Sequence, residues 1–519
     1  MTGQKIAAQV HMRARCLTPM WQPLSLSRAV ACVIATTVAC ASSPTANNTN
    51  DSVKVVDTVA APVVPYVWPD RSAIVPGMTR QLRLETFTVS SGLYAAKGTA
   101  SWSTSDASVA TVDQTGLVTA TTTGHATITA TYNGNAINAD VLVFAYPAPP
   151  RFASVSLGTT HACGVTMDHA AYCWGSNDHN QLGTTAAIDD CESVSANGVP
   201  MIWARSSYPC SAVPHQVELP ETVVDVQAGV LGACAITTTN AVYCWGTGNG
   251  LTSSVPQRLA GRNFRAISVG AAQTCGISVD SLAYCWGTGF LGGLSPGPTF
   301  SPSAVVNSRP WSAISSRTDA SCALDATGLP YCWGLAPVAA TLGEAQCPIL
   351  ACTPFPTAVP ASSGSTSARF TQIVATGSNN CALTADGKLY CWGGDETRAI
   401  GIEPATSQPA NGLVSITAGI DQGPAHTRPI CGLASDGSSY CWYYSRSARA
   451  DSAFALAPYT VGVSLRSIVH RDTGGSSCGL GVDGFAYCWG TGFYGSAILG
   501  DGKFGEYLPA LSPAKVIGQ

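Results

Sequence analysis

One pattern constrains this chain more than any other: Cys, nine residues, then Cys-Trp, written seven times. The pairs are Cys163 and Cys173, Cys234 and Cys244, Cys275 and Cys285, Cys322 and Cys332, Cys381 and Cys391, Cys431 and Cys441, and Cys478 and Cys488. Tyr precedes the second Cys in every copy, and Gly follows the Trp in all but one, where Tyr443 stands instead. Copies recur at intervals of 41 to 71 residues, which means a stacked array or a closed ring. Each copy reads as a hairpin. In the copy from Cys381 to Cys391, a turn at Asp386-Gly387 sets the two cysteines face to face. The left-handed turn position holds Gly328, Gly387, Gly437, Gly484 and Asn240 in five copies, and His169 and Ser281 in the others. Facing residues of a non-hydrogen-bonded antiparallel pair lie roughly 4.5–5.5 Å apart, which suits a disulfide. Tyr390 and Trp392 flank Cys391 and must point to the opposite face of the sheet.

A sheet with buried-type groups on both faces is a propeller blade, sandwiched between its neighbours. The expected fold class is therefore all-β: a seven-bladed β-propeller with an N-terminal Ig-like β-sandwich. The copies resemble the regulator of chromosome condensation repeat. The carrying residues are Val374-Ala375-Thr376-Gly377, Asn380-Cys381-Ala382-Leu383, Asp386-Gly387 and Tyr390-Cys391-Trp392-Gly393. The first copy adds Gly175-Ser176-Asn177 and Gln181-Leu182-Gly183, with Asn180 where the family has Gly. The resemblance implies seven blades over residues 149–519, with the cysteine pair as a secreted bacterial elaboration. Cys191, Cys210, Cys347 and Cys352 remain, in insertions after the first and fourth copies, so eighteen cysteines make nine bridges. Several copies are preceded by a short strand, whereas the chain ends on an unpartnered one, Pro513 to Gly518. That terminal strand is expected to join the first blade and fasten the ring.

Residues 66–148 read as a separate small domain, ended by Pro147-Ala148-Pro149-Pro150. Ala126, Ile128, Ala130 and Tyr132 alternate with threonines at a period of two, and Trp102 is the expected core aromatic. The segment resembles the bacterial Ig-like group 2 family through Val75-Pro76-Gly77, Leu82, Trp102-Ser103-Thr104-Ser105-Asp106, Val109 to Asp113, Thr115-Gly116-Leu117-Val118 and Gly124 to Ile128. The resemblance implies a surface spacer or adhesion module.

Residues 1–39 read as a signal peptide: Arg13, Arg15 and Arg28, then an apolar run from Ala29 to Ala39 too short to span a bilayer. Thr37-Val38-Ala39-Cys40 resembles a lipobox, which implies lipidation of Cys40. Cleavage after Ala41 by the ordinary peptidase competes, and Met20 is an alternative start. Residues 40–65 form a flexible tether. Twenty-one cysteines fit an exported protein, bound to the cell envelope or secreted. With 11% charged residues, a net charge of −4 and no basic block, nucleic acid is excluded as a partner. The membrane is reached only through the anchor.

No catalytic, cofactor-binding or metal-ligating set is legible, and no cofactor is expected. Gly475-Ser476-Ser477-Cys478-Gly479 mimics a nucleophile elbow but lacks the strand-turn-helix setting. Gly287 to Gly292 and Gly490 to Gly495 mimic a dinucleotide fingerprint without the following helix. The expected function is a monomeric binding or scaffold protein whose rim loops hold a protein or glycan. The candidate loops are Thr184 to Pro214 and Leu335 to Pro360, carrying Trp203, Tyr208 and Phe355. A polysaccharide-active enzyme using the central funnel is the alternative. Resemblance to the repeat family also implies guanine-nucleotide exchange, which an exported chain has no access to perform.

Overall fold

The computed structural model describes residues between 63 and 516, apart from connecting stretches such as 193–206, 289–298, 336–351, 419–429, 445–453 and 491–509. The leader, the tether, Cys40, Trp203 and Cys347 lie outside the described residues. Every described element is a strand.

The first part is built from three small sheets over Val63–Val143. The alternation read in the sequence is present: Ala126, Ile128 and Ala130 are buried on one face of Gly124–Tyr132. They pack with Trp102, Leu82, Val118 and Val141 in a single core. The edge of the four-stranded sheet is Arg71–Ile74, paired in parallel with the end of Asn135–Val143.

Seven sheets follow, each holding one cysteine hairpin. The third sheet shows the pattern: Phe264–Val269, Gln273–Ser278, Ala283–Gly287 and Thr299–Ala304, in that order across the sheet. The first strands of successive sheets touch one another all the way round, and that of the last sheet, Leu465–His470, returns to that of the first, Phe152–Leu157. They therefore surround the axis.

The residue that follows the first Cys is small, Gly or Ala, in every copy. That gap receives the first-strand residue: a Cβ on Gly276 would stand 2.7 Å from the Phe264 ring. Phe264 then lies edge-on to Tyr284, with centroids 6.1 Å apart, and against Trp286 at 5.4 Å. Phe152, Trp311 and Phe370 repeat this arrangement. The opposite face of each hairpin presents its disulfide. Cys234 and Cys244 pack in one cluster with Phe264, Tyr284 and Trp286 of the next sheet. Each seam described this way sets a bridge of one sheet on the rings of the next, and burying one such ring contributes about 1.5–3 kcal/mol.

The expected closure is wrong. The terminal strand Ala510–Lys515 pairs with Ala486–Gly490 and completes the last sheet, not the first. The short strands that seemed to precede a copy are the outer strands of the copy before: Leu251–Arg258 pairs with Val242–Gly248. The first sheet takes its outer strand, Ser207–Gln216, from its own insertion. Every sheet is thus contiguous in sequence. The ring closes by face packing, with Phe152, Tyr172 and Trp174 against Cys478, Cys488 and Val516. Arg466 adds a hydrogen bond of 2.9 Å to the Phe152 carbonyl across that seam.

Candidate binding faces

The register predicted for the hairpins is the one observed. Cys163 faces Cys173 and Cys275 faces Cys285, with Cα atoms 4.1 and 4.0 Å apart and the sulfurs bonded. The pairs at Cys234, Cys322, Cys381 and Cys478 match. Cys431 is disulfide-bonded and stands opposite Cys441 in the register. Cys191 is bridged to Cys210.

The hairpin turns all lie at one end of the ring. His169, Asn240 and Ser281 adopt φ of 67°, 63° and 66°, as the glycines do at the same position. This conformation aims the turn carbonyl at the next sheet. The N–H of Val223 donates to His169, that of Phe264 to Asn240, and that of Trp311 to Ser281. Gly328 and Gly387 receive the corresponding bonds from Phe370 and Leu413. Deeper in, Ser156, Ser268 and Ser315 accept N–H bonds from Ala228, Ser316 and Ala375, at 2.9, 2.8 and 3.0 Å. Neighbouring inner strands are thereby latched at both ends. These serines do not stand out in the sequence. Their signal was a Ser one residue before the end of the inner strand.

The same end carries most of the large apolar side chains that are exposed among the described residues. Met167, Val279 and Val482 sit at turn tips with 61%, 56% and 69% exposure. Val224 and Val414 occupy the bulge at the second residue of the inner strand, with 47% and 50%. These are five of the seven large apolar side chains that are exposed among the described residues. Cations stacked on rings flank them. Arg262 lies 4.2 Å over Tyr284, Arg309 4.2 Å over Tyr331, and Arg151 and Lys515 share Phe485 at 4.7 and 3.2 Å. Arg258, Leu259, Gly261, Arg262, Val279 and Asp280 line a shallow depression there.

The acids of this face are engaged within their own turns. Asp280 is held below the usual carboxylate range by the Ser278 hydroxyl, Asp386 by the Thr384 hydroxyl, and Asp483 by the Tyr487 hydroxyl. Asp225, on an inner strand, is pushed up by burial and accepts two hydrogen bonds from Gln227 at 3.2 and 3.0 Å. At the other end of the ring Arg317 reaches the carbonyls of Ala375, at 2.7 Å, and Ala418, joining three sheets. Among the described residues no three His, Cys, Asp or Glu side chains converge.

Two of the three aromatics named in the insertions lie among the described residues. Tyr208 is half-buried against the Cys191–Cys210 bridge. Phe355 is partly buried in the outer strand Cys352–Ala358. Trp203 lies outside the described residues, so the three are not brought together into a described site. Ser477, the would-be nucleophile, begins the strand Ser477–Gly481 and is 2% exposed, which rules out an elbow.

Residues 67–138 match the profile of the bacterial Ig-like domain (group 2). Residues 152–181 and 370–396, and in a second profile 168–236, match the regulator of chromosome condensation (RCC1) repeat. No curated protein matches the chain. Among solved structures, human WBSCR16 is 16% identical with a TM-score of 0.51, over 67% of this chain and 93% of its own. Prp20p from Saccharomyces cerevisiae is 17% identical with a TM-score of 0.38, over 70% and 76%. The ectodomain of the receptor kinase ACR4 from Arabidopsis thaliana is 19% identical with a TM-score of 0.39, over 66% and 96%. At 16% identity the likeness to WBSCR16 is one of fold.

Proposed function

For a chain that carries regulator of chromosome condensation repeats behind a group 2 bacterial Ig-like domain, we propose a non-catalytic role: an exported binding protein that docks a protein partner on the hairpin-turn face of its propeller. The observation that carries this reading is the concentration of Met167, Val224, Val279, Val414 and Val482 at one end of the ring, flanked by ring-stacked arginines. An apolar centre with arginine and aromatic groups around it is the composition of protein–protein interfaces. The latched inner strands keep that face rigid, so little entropy is lost on docking. The bridges among the described residues support an oxidising compartment, and the segment ending at Cys40 supports export with a lipid anchor there.

The test compares the mature ectodomain with a variant carrying Met167→Asp, Val279→Asp and Val482→Asp, each immobilised and exposed to host envelope extract. All three positions are exposed, so the melting temperature should not move. The expected result is a discrete partner held by the parent and lost by the variant. Equal capture by both would eliminate the turn face and return attention to the insertions at Thr184 to Pro214 and Leu335 to Pro360. The anchor has its own test: Cys40→Ser should move the protein from the membrane fraction to the soluble one, and a soluble parent would refute lipidation.

A further inference from the structure

We infer that the stapled insertion of the first sheet is a clasp through which the propeller holds the Ig-like domain as a fixed arm. The insertion strand Asp189–Glu192 pairs with Ser207–Gln216, and Asp189 stands opposite Cys210 in that register. The Cys191–Cys210 bridge therefore fixes the hairpin beside the carboxylate. Asp189 is fully buried, and its partners come from both domains. One oxygen accepts a 2.6 Å hydrogen bond from the N–H of Ala73, on the edge strand of the Ig-like sheet. The same oxygen lies 3.6 Å from the Arg80 guanidinium, whose side chain is 5% exposed. The second oxygen accepts from the N–H of Ala212, in the propeller's own outer strand, at 3.5 Å.

Two physical consequences follow. An unpaired strand edge invites association, and here the propeller supplies a carboxylate to one of its N–H groups. A buried ion pair also penalises separation when one partner stays behind in a dry site, because that charge is left uncompensated. A second contact lies on the neighbouring strand Ser207–Gln216. The Tyr146 hydroxyl donates to the Pro214 carbonyl at 2.7 Å, and Phe144 lies 4.8 Å from the His215 ring. The Ig-like domain is thus attached at two places, to the two paired strands Asp189–Glu192 and Ser207–Gln216 of the first sheet. It differs from a free spacer on a string.

Limited proteolysis and small-angle scattering of the mature ectodomain test this. The parent should scatter as a single rigid body and resist cleavage between Phe144 and Pro150. Asp189→Ala, and separately Cys191→Ser with Cys210→Ser, should raise the cleavage rate there by about tenfold or more and increase the radius of gyration. Near-ultraviolet circular dichroism from the buried ring tryptophans should stay unchanged, which separates release of the arm from unfolding. A third variant, Arg80→Met with Asp189→Leu, removes both charges and should cleave more slowly than Asp189→Ala alone. Rapid cleavage of the parent at this junction, or variants that scatter and cleave like the parent, would overturn the clasp. So would loss of the tryptophan signal in every variant, since the hairpin would then belong to the propeller's own folding.

Discussion

At the scale of single residues, the turns separate two costs that usually come together. Gly484 has φ of +81° with open space where a Cβ would go, whereas at Gly387, with φ of +79°, a Cβ would stand 2.8 Å from the nitrogen and the oxygen of Leu413. Gly484→Ala should cost only the left-handed backbone term, about 1–2 kcal/mol. Gly387→Ala should cost more and loosen the contact between the fifth and sixth sheets, a ranking that thermal melts of the two variants would establish. His215 supplies a pH dependence. Burial against Phe144 lowers its pKa to about 4 from the ordinary value of 6.5. The folded state therefore keeps it neutral while the unfolded chain takes up a proton. Its contribution is complete above pH 6.5, declines as pH falls towards 4, and is lost below that, by up to about 3 kcal/mol. His215→Gln should flatten the fall in melting temperature over that window; a parallel fall in both proteins would refute the assignment.

At the scale of elements, each hairpin bridge closes about eleven residues, worth roughly 2.5–3 kcal/mol in the chain-entropy account. Replacing Cys234 and Cys244 by alanine should cost more than that, because both cysteines are buried in one core cluster with Phe264 and Trp286 of the following sheet. Denaturant melts of the variant and of the reduced parent would separate the packing loss from the cross-link loss. The hairpins were legible in the sequence for this same reason: Cys, Tyr, Trp and the turn residue are fixed by local geometry, and each copy repeats it. The outer strands were less legible. Leu251–Arg258 alternates weakly and contributes few buried side chains, so its assignment to the sheet before or after depended on a pairing that composition does not encode. The insertions carry a structural role that composition did not show. The described part of the first insertion carries a buried aspartate, two of whose partners, Ala73 and Arg80, lie over a hundred residues away in sequence.

At the scale of the whole molecule, the ring is closed at its seam by face packing and side-chain contacts, with no strand exchanged between the last sheet and the first. Val516 is 1% exposed in the cluster that joins the last sheet to the first. Removing residues 513–519 should therefore lower the melting temperature and promote aggregation, and Val516→Asp should reproduce most of the effect without shortening the chain. Calorimetry and size-exclusion chromatography of both would decide it; a truncated ring that melts like the parent would show that Val516 does not seal it. The two ends of the propeller meet there, with Arg151 and Lys515 stacked on the one ring of Phe485. Because no sheet borrows a strand from the far end of the chain, the gene encodes complete blades in tandem. A circular permutant that joins residue 516 to residue 151 through a short linker and opens at another seam would keep every sheet whole. Duplication or loss of one copy would likewise add or remove an intact unit, so lineages built this way can change the size of the ring without first solving how to close it.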